Sequence, residues 1–196
     1  NKSLMSQSIN LYKQLANHKL FNKSVNFSLK RIKLALDLLG HPERKLKNVI
    51  SVLGESGKFT TLFSLKSFIE ANKQIVTTHI SPSLKDIKER FYMGDKYLSH
   101  KEIKKTIKQI EKLNVPLTVF ECLTLVYIIN ASKINADYNI QETGALWRLD
   151  SNNIHDFPKL QICTNINKQH LNFLKRKTLD EVINCLLYTS DAADDP

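Results

Sequence analysis

The chain of 196 residues is poor in several things, and each scarcity excludes a class. Five glycines and five prolines leave no low-complexity linker or collagen-like repeat. The three cysteines, Cys122, Cys163 and Cys185, stand apart, with no CxxC and no paired spacing. That supports neither a zinc site nor a disulfide framework, and a reducing, cytoplasmic setting is expected. No apolar run approaches the roughly 18–20 residues of a membrane span, so no membrane partner is expected. Arginine is scarce, at 5 residues against 24 lysines. What is present, 42% hydrophobic and 24% charged residues, rules out a wholly disordered chain.

The net charge of +10 raises the question of nucleic acid. Lys, Asn and Ile are all abundant, which AT-rich codons explain. A nucleic-acid reader would show more arginine and interleaved aromatics. Lys101, Lys104, Lys105, Lys108 and Lys112 fit the wet side of one helix, and Lys175-Arg176-Lys177 is short. Nucleic acid is therefore not the expected partner, although a basic module with salt-dependent binding stays a third reading. A small polyanionic substrate is at least as consistent with the charge, and a monomer is expected.

Composition shifts at the end. Residues 185–196 contain Asp191, Asp194 and Asp195 and no lysine or arginine. The string from Cys185 to Asp194 resembles a translated sequencing-library adapter, and residues 185–196 are expected to be a non-native tail. Without its three aspartates the net charge becomes +13.

The rest alternates strand and helix. Residues 1–26 read as a helical segment with a loop. Phe27–Leu39 carries apolar residues at helical spacing and stops at Gly40-His41-Pro42. Asn48–Leu53 reads as a buried strand, Thr60–Ala71 as a helix, Gln74–Ile80 as a strand and Ser81–Lys96 as loop. Ser99-His100-Lys101-Glu102 and Thr118-Val119-Phe120-Glu121 are capping boxes that open two further helices. Asp137–Glu142 and Leu160–Ile166 read as strands, and Thr178–Asn184 begins a helix. The expected fold is α/β, a mainly parallel sheet flanked by helices. Ligands of such sheets sit beyond the carboxyl ends of the strands.

That is where the strongest chemical signal falls. A strand, then Gly54-Glu55-Ser56-Gly57-Lys58-Phe59-Thr60, then a helix is the context a phosphate loop needs. Glycines let backbone N–H groups approach phosphate oxygens, the helix N-terminus favours negative charge, and Lys58 can neutralise terminal phosphates. Thr60 or Thr61 can reach a magnesium ion. The usual spacing has four residues between the glycines, whereas here there are two. A strand–helix turn with a chance lysine is the plain alternative. Glu55 counts against a phosphate cradle unless its carboxylate points away.

The short form Gly-x-x-Gly-Lys-x-Thr resembles that of Mur ligases and of their relatives, the folylpolyglutamate synthase/dihydrofolate synthase family. Further motifs follow in family order. Leu38-Leu39-Gly40-His41-Pro42 and Asn48-Val49-Ile50 resemble the approach to the loop. Thr78-His79-Ile80-Ser81-Pro82-Ser83-Leu84, with Glu89-Arg90 and Gly94, resembles the Ser-Pro-His-Leu…Glu-Arg-Ile…Gly stretch. Phe120-Glu121-Cys122-Leu123-Thr124 resembles Phe-Glu-x-x-Thr. Glu142-Thr143-Gly144, with Arg148, Asp150 and Asn153, resembles the glycine-rich Glu-x-Gly-Leu-Gly-Gly-Arg-x-Asp motif. Asn165-Ile166-Asn167-Lys168-Gln169-His170, with Phe173-Leu174, resembles the Asp-His…Phe-Leu-Gly segment.

The resemblance runs from about residue 27 to 184 and implies part of an ATP-binding domain, with the C-terminal ligase domain absent. It implies ATP and Mg²⁺ as cofactors. The activity implied is ligation of L-glutamate to dihydropteroate or a folate through an acyl phosphate, in folate biosynthesis. Gly54, Ser56, Gly57, Lys58, Phe59, Thr60 and Thr61 would hold the nucleotide. Thr60, Ser81, Glu142 and His170 would hold metal, and Lys58, Glu142 and His170 would be the catalytic set. The other reading is a degenerate, non-catalytic relative that binds nucleotide. Several departures favour it: Glu55 and Phe59 in the loop, Leu146 and Trp147 where the motif has glycine, and Gln169 where it has aspartate. Trp147, beside Ala145 and Leu146, could fill the space that glycine leaves for a ligand. Glu121 is explained by its capping box, and His18, His41, His79, His100 and His155 read as surface or structural residues. Trp147 and Phe157 read as packing residues rather than a stacking platform.

Overall fold

A computed structural model describes residues 11, 15, 17–18, 21–22, 27–168 and 170–187. Most of the expected helical segment 1–26, and residues 188–196 of the expected tail, lie outside the described residues. The elements run β1 (Phe21–Asn22), α1 (Leu29–Leu38), β2 (Val49–Leu53), α2 (Lys58–Ala71), β3 (Val76–His79), β4 (Phe91–Met93), α3 (His100–Glu111), β5 (Leu117–Thr118), α4 (Val119–Ala131), β6 (Tyr138–Glu142), β7 (Leu160–Cys163) and α5 (Leu179–Leu186). Short 3₁₀ turns lie at Pro42–Lys45, Ile87–Arg90 and Leu171–Phe173.

Five strands form one sheet in the order β4-β3-β6-β2-β7. All neighbours are parallel except β4, which runs antiparallel to β3. β1 and β5 make a separate parallel pair. The register aligns Val52 with Glu142, Leu53 with Cys163 and His79 with Gln141. The carboxyl ends of β2, β3, β6 and β7 therefore share one edge.

The two-residue period of each strand sorts side chains between two faces. Ile50, Val52, Val76, Ile80 and Ile140 pack with Leu62 and Ile69 of α2. On the other face Val49 and Phe91 join the larger core with α1, α3 and α4. α4 is the central helix: ten of its thirteen residues are buried, so it is apolar all round rather than amphipathic. By contrast α3 buries only Ile103, Thr106, Ile107 and Ile110 and turns its lysines outward. Both expected capping boxes are formed, Ser99 with Glu102 and Thr118 with Glu121. Glu121 also holds Arg31, its two oxygens lying 3.0 and 3.1 Å from the guanidinium. That pair ties α1 to the head of α4.

The segment expected as loop over 81–96 contains an extra strand. β4 pairs His79 with Phe91 and Thr77 with Met93. Phe91 and Met93 are buried while Tyr92 is half-exposed, an alternation of only three residues between Pro82 and Gly94. A period that short cannot be told from loop by pattern alone. β7 ends at Cys163 rather than at Ile166. α5 runs unbroken across position 185, with Cys185 and Leu186 buried against Leu53, Trp147 and Val182.

Candidate functional site

β2 delivers the chain at Leu53 to the loop Gly54–Gly57, and the loop opens α2. A Cβ at Gly54 would lie 2.4 Å from Thr164 Oγ1 and 2.8 Å from the Asn165 carbonyl oxygen, so only glycine fits there. Gly57 has φ +80° and turns the backbone into the helix. Ser28, Ser99, Thr118 and Thr178 hydroxyls cap α1, α3, α4 and α5. α2 has no side-chain cap. The N–H groups of its first turn are thus offered to an external acceptor, and the helix dipole favours an anion there.

Lys58, on that first turn, is buried, and its Nζ donates to the Gly54 carbonyl at 2.8 Å. Phe59 turns outward and packs on Phe63, with ring centroids 4.4 Å apart. Ser56 and Thr60 are exposed and Thr61 is half-buried. On the adjacent strand, Glu142 shares the parity of Ile140 and so faces α2. The residue is 5% exposed, and its carboxylate accepts the Ser81 N–H at 3.1 Å. Burial pushes the Glu142 carboxyl up. The Ser81 N–H, Lys58 and Arg90 partly offset this. Lys58, Ser81 and Glu142 therefore converge from three strand ends.

His170 stands differently. Its Nδ1 lies 2.6 Å from Glu55 Oε2, whose side chain is fully buried, and its ring stacks on Phe173. The Glu55 carboxylate is thereby directed at His170 on the β7 side of the loop. The objection raised by a carboxylate in a phosphate loop is met by this geometry. Among the described residues, no three or more His, Cys, Asp and Glu side chains form a ready metal cage. The donors that do gather are oxygens: one carboxylate and hydroxyl-bearing Ser81. A set this sparse suits Mg²⁺, which keeps several waters and takes the rest of its shell from phosphates.

The glycine-rich motif after β6 has become a packed loop. Asp150 is buried and accepts N–H groups of Gly144 at 2.9 Å, Ala145 at 3.3 Å and Asn152 at 2.9 Å. Burial pushes its carboxyl up to about 6 in spite of these donors. Asn152 Nδ2 donates to the Glu142 carbonyl at 3.0 Å, so the loop braces the end of β6. A Cβ at Gly144 would meet Phe120 Cζ at 2.7 Å. Trp147 does not fill a ligand space. It is 1% exposed and packs with Leu53, Leu146, Leu174, Val182 and Leu186. Phe157, expected to pack, is instead 94% exposed. His79 is structural: its ring lies between Phe91 and Tyr127 at 5.7 and 5.2 Å.

Thr164 is a site residue that sequence reasoning did not single out, and Asn165 was read only as the start of the His170 segment, with no role of its own. Their short polar side chains give no signal of contact with the loop, and only the fold brings them across about 110 positions to Gly54–Ser56. No helix among the described residues is long and apolar enough to cross a membrane.

No family model matches the chain. It is 36% identical over 151 residues to the dihydrofolate synthase/folylpolyglutamate synthase of Buchnera aphidicola subsp. Schizaphis graminum, covering 76% of this chain and 35% of that protein. E. coli FolC in complex with DHPP and ADP superposes with a TM-score of 0.83 at 27% identity, covering 91% of this chain and 42% of that one. A bifunctional folylpolyglutamate synthase/dihydrofolate synthase with Mn, AMPPNP and L-glutamate bound gives a TM-score of 0.73 at 27% identity, over 81% of this chain and 38% of that one. The chain spans about a third of the length of the curated relatives it matches.

Proposed function

The chain belongs to the folylpolyglutamate synthase/dihydrofolate synthase family, and on that premise we propose that it supplies the nucleotide-binding part of an ATP-dependent ligase. The whole protein would join L-glutamate to dihydropteroate or a folate by way of an acyl phosphate. The observation that carries this reading is the uncapped N-terminus of α2, flanked by Lys58 and by the buried Glu142. Gly54, Ser56, Gly57, Phe59, Thr60 and Thr61 form the loop and first turn that would surround the phosphates.

Phosphoryl transfer depends mainly on positioning and charge neutralisation. Lys58, held on the Gly54 carbonyl, supplies a positive charge at the mouth of the helix. The first-turn N–H groups orient phosphate oxygens. Thr60, Ser81 and Glu142 would hold Mg²⁺, which neutralises phosphate charge when bound. His170, fixed at Nδ1 by Glu55, keeps Nε2 for a second ion, an arrangement in which a carboxylate orients a histidine ligand. We assign residues 27–184 to this domain, 1–26 to a preceding helical segment and 185–196 to a non-native tail whose first two residues, Cys185 and Leu186, continue α5 and pack on its core. The partners are small molecules, and we expect a monomer in the cytoplasm that does not bind nucleic acid.

The test is Mg-ADP binding to the 196-residue chain and to Lys58→Ala. Wild type binds and the variant loses at least tenfold in affinity. Equal affinity in the two would remove the phosphate-loop assignment. In the complete protein, glutamate-dependent ADP release with dihydropteroate or a folate separates a ligase from a relative that only binds nucleotide.

A further inference from the structure

We infer that Asn165, backed by Thr164, is a positioning residue that holds the phosphate loop in its open shape and stays in place when nucleotide binds. The inference rests on the nucleotide reading of the loop given above. Asn165 Oδ1 accepts the Ser56 N–H at 2.8 Å and the Glu55 N–H at 3.1 Å. The Asn165 carbonyl oxygen lies 3.2 Å from the same Glu55 nitrogen. Thr164 Oγ1 lies 2.6 Å from the Ser56 carbonyl oxygen and 3.1 Å from that of Leu53, and the Thr164 N–H donates to Leu53 at 2.9 Å. Two residues that follow β7 thus satisfy both polar backbone groups of Ser56, the N–H of Glu55 and the carbonyl of Leu53.

The loop is two residues shorter than the usual phosphate loop between its glycines, so it has fewer turns of its own with which to satisfy its backbone. The side-chain amide carbonyl of Asn165 does this from outside. It occupies the N–H groups that face β7 and leaves those of the α2 first turn for phosphate. The contact at Gly54 explains why the clasp is close: the Thr164 hydroxyl and the Asn165 backbone sit where any Cβ would be. Glu55 belongs to the same clasp, since its N–H is held by Asn165 and its carboxylate meets His170, five residues further on. Loss of Asn165 would free the N–H groups of Glu55 and Ser56 and let the loop relax across the helix mouth.

The experiment measures Mg-ADP affinity, thermal midpoint and amide exchange on the 196-residue chain. In wild type the Ser56 amide exchanges slowly, and addition of Mg-ADP leaves it slow. Fast exchange in the free protein, or fast exchange once ADP is bound, overturns the inference. Asn165→Ala lowers Mg-ADP affinity about tenfold, the size of one lost hydrogen bond in a positioned site. Thr164→Val has the same shape and lacks only the hydroxyl; it lowers affinity several-fold with the midpoint unchanged. If Lys58→Ala weakens binding and neither of these variants does, the clasp is wrong and the nucleotide site stands. If Lys58→Ala has no effect, the nucleotide reading itself fails.

Discussion

The burial of His79 predicts acid sensitivity of a defined size. The ring is wholly inaccessible, stacked between Phe91 and Tyr127 and near the Arg90 guanidinium. Burial first, and the Arg90 charge second, push its pKa from 6.5 down to about 3. The folded state therefore keeps the imidazole neutral, while the unfolded chain takes up a proton below about pH 6.5. Stability is fully present above that pH and falls as pH drops toward 3. Each unit of pH costs about 1.4 kcal/mol, so by pH 4.5 this one group costs about 2.7 kcal/mol. His155, depressed to about 4 by its burial against Gln141, acts in the same direction. The assay is urea unfolding at half-unit steps from pH 7.5 to 4.5, for wild type and His79→Phe. Phenylalanine keeps the ring stack and cannot titrate. The variant loses about one proton from the slope of stability against pH. Identical slopes in the two proteins would show that His79 is protonated without penalty, and the stacked, dry cage would then be wrong.

Two further predictions concern packing around the site. Trp147→Ala removes the largest fully buried side chain, one that leaves α5 resting on Leu53 and Leu146, and costs about 3–5 kcal/mol in urea unfolding. A loss under about 1 kcal/mol would mean that α5 does not pack there. Gly144→Ala drives a methyl to within 2.7 Å of Phe120 and costs about 1–3 kcal/mol, and Phe120→Leu in the same chain recovers most of it. Failure of the second change to rescue would place the strain elsewhere.

Elements with a strong local signature were readable from the residues. Two Ser/Thr-x-x-Glu boxes located the starts of α3 and α4 because a cap is a local bond between neighbours. Runs rich in β-branched residues located β2 and β3. β4 was not readable, because three residues carry too little alternation and its pairing with β3 is a tertiary decision. Within the site, Lys58 and Glu142 were readable from motif and strand end. The fate of Glu55 was not: whether its carboxylate enters the cradle depends on His170, 115 positions away. Trp147 reads as a packing residue and is one, but the residues it packs against were not readable for the same kind of reason. A large residue at a glycine position can enter the ligand space or leave it, and the apolar face of α5 decided for leaving.

These non-local facts bear on whether the altered motifs disable the site. A tryptophan lodged in the phosphate space would exclude ligand whatever Lys58 did. A carboxylate lodged there would repel it by several kcal/mol at short range in a partly dry site. Neither occurs. Trp147 is drawn into the core by Leu53, Val182 and Leu186, and Glu55 is turned toward the imidazole of His170. The two departures that read as obstacles in sequence are thus each answered by a partner from the segment after β7, the same segment whose Asn165 clasps the loop. Thr164, Asn165, His170 and Val182 consequently act together as a buttress beside the phosphate loop. Weakening any part of it is expected to reach the mouth of α2 without touching Lys58 or Glu142.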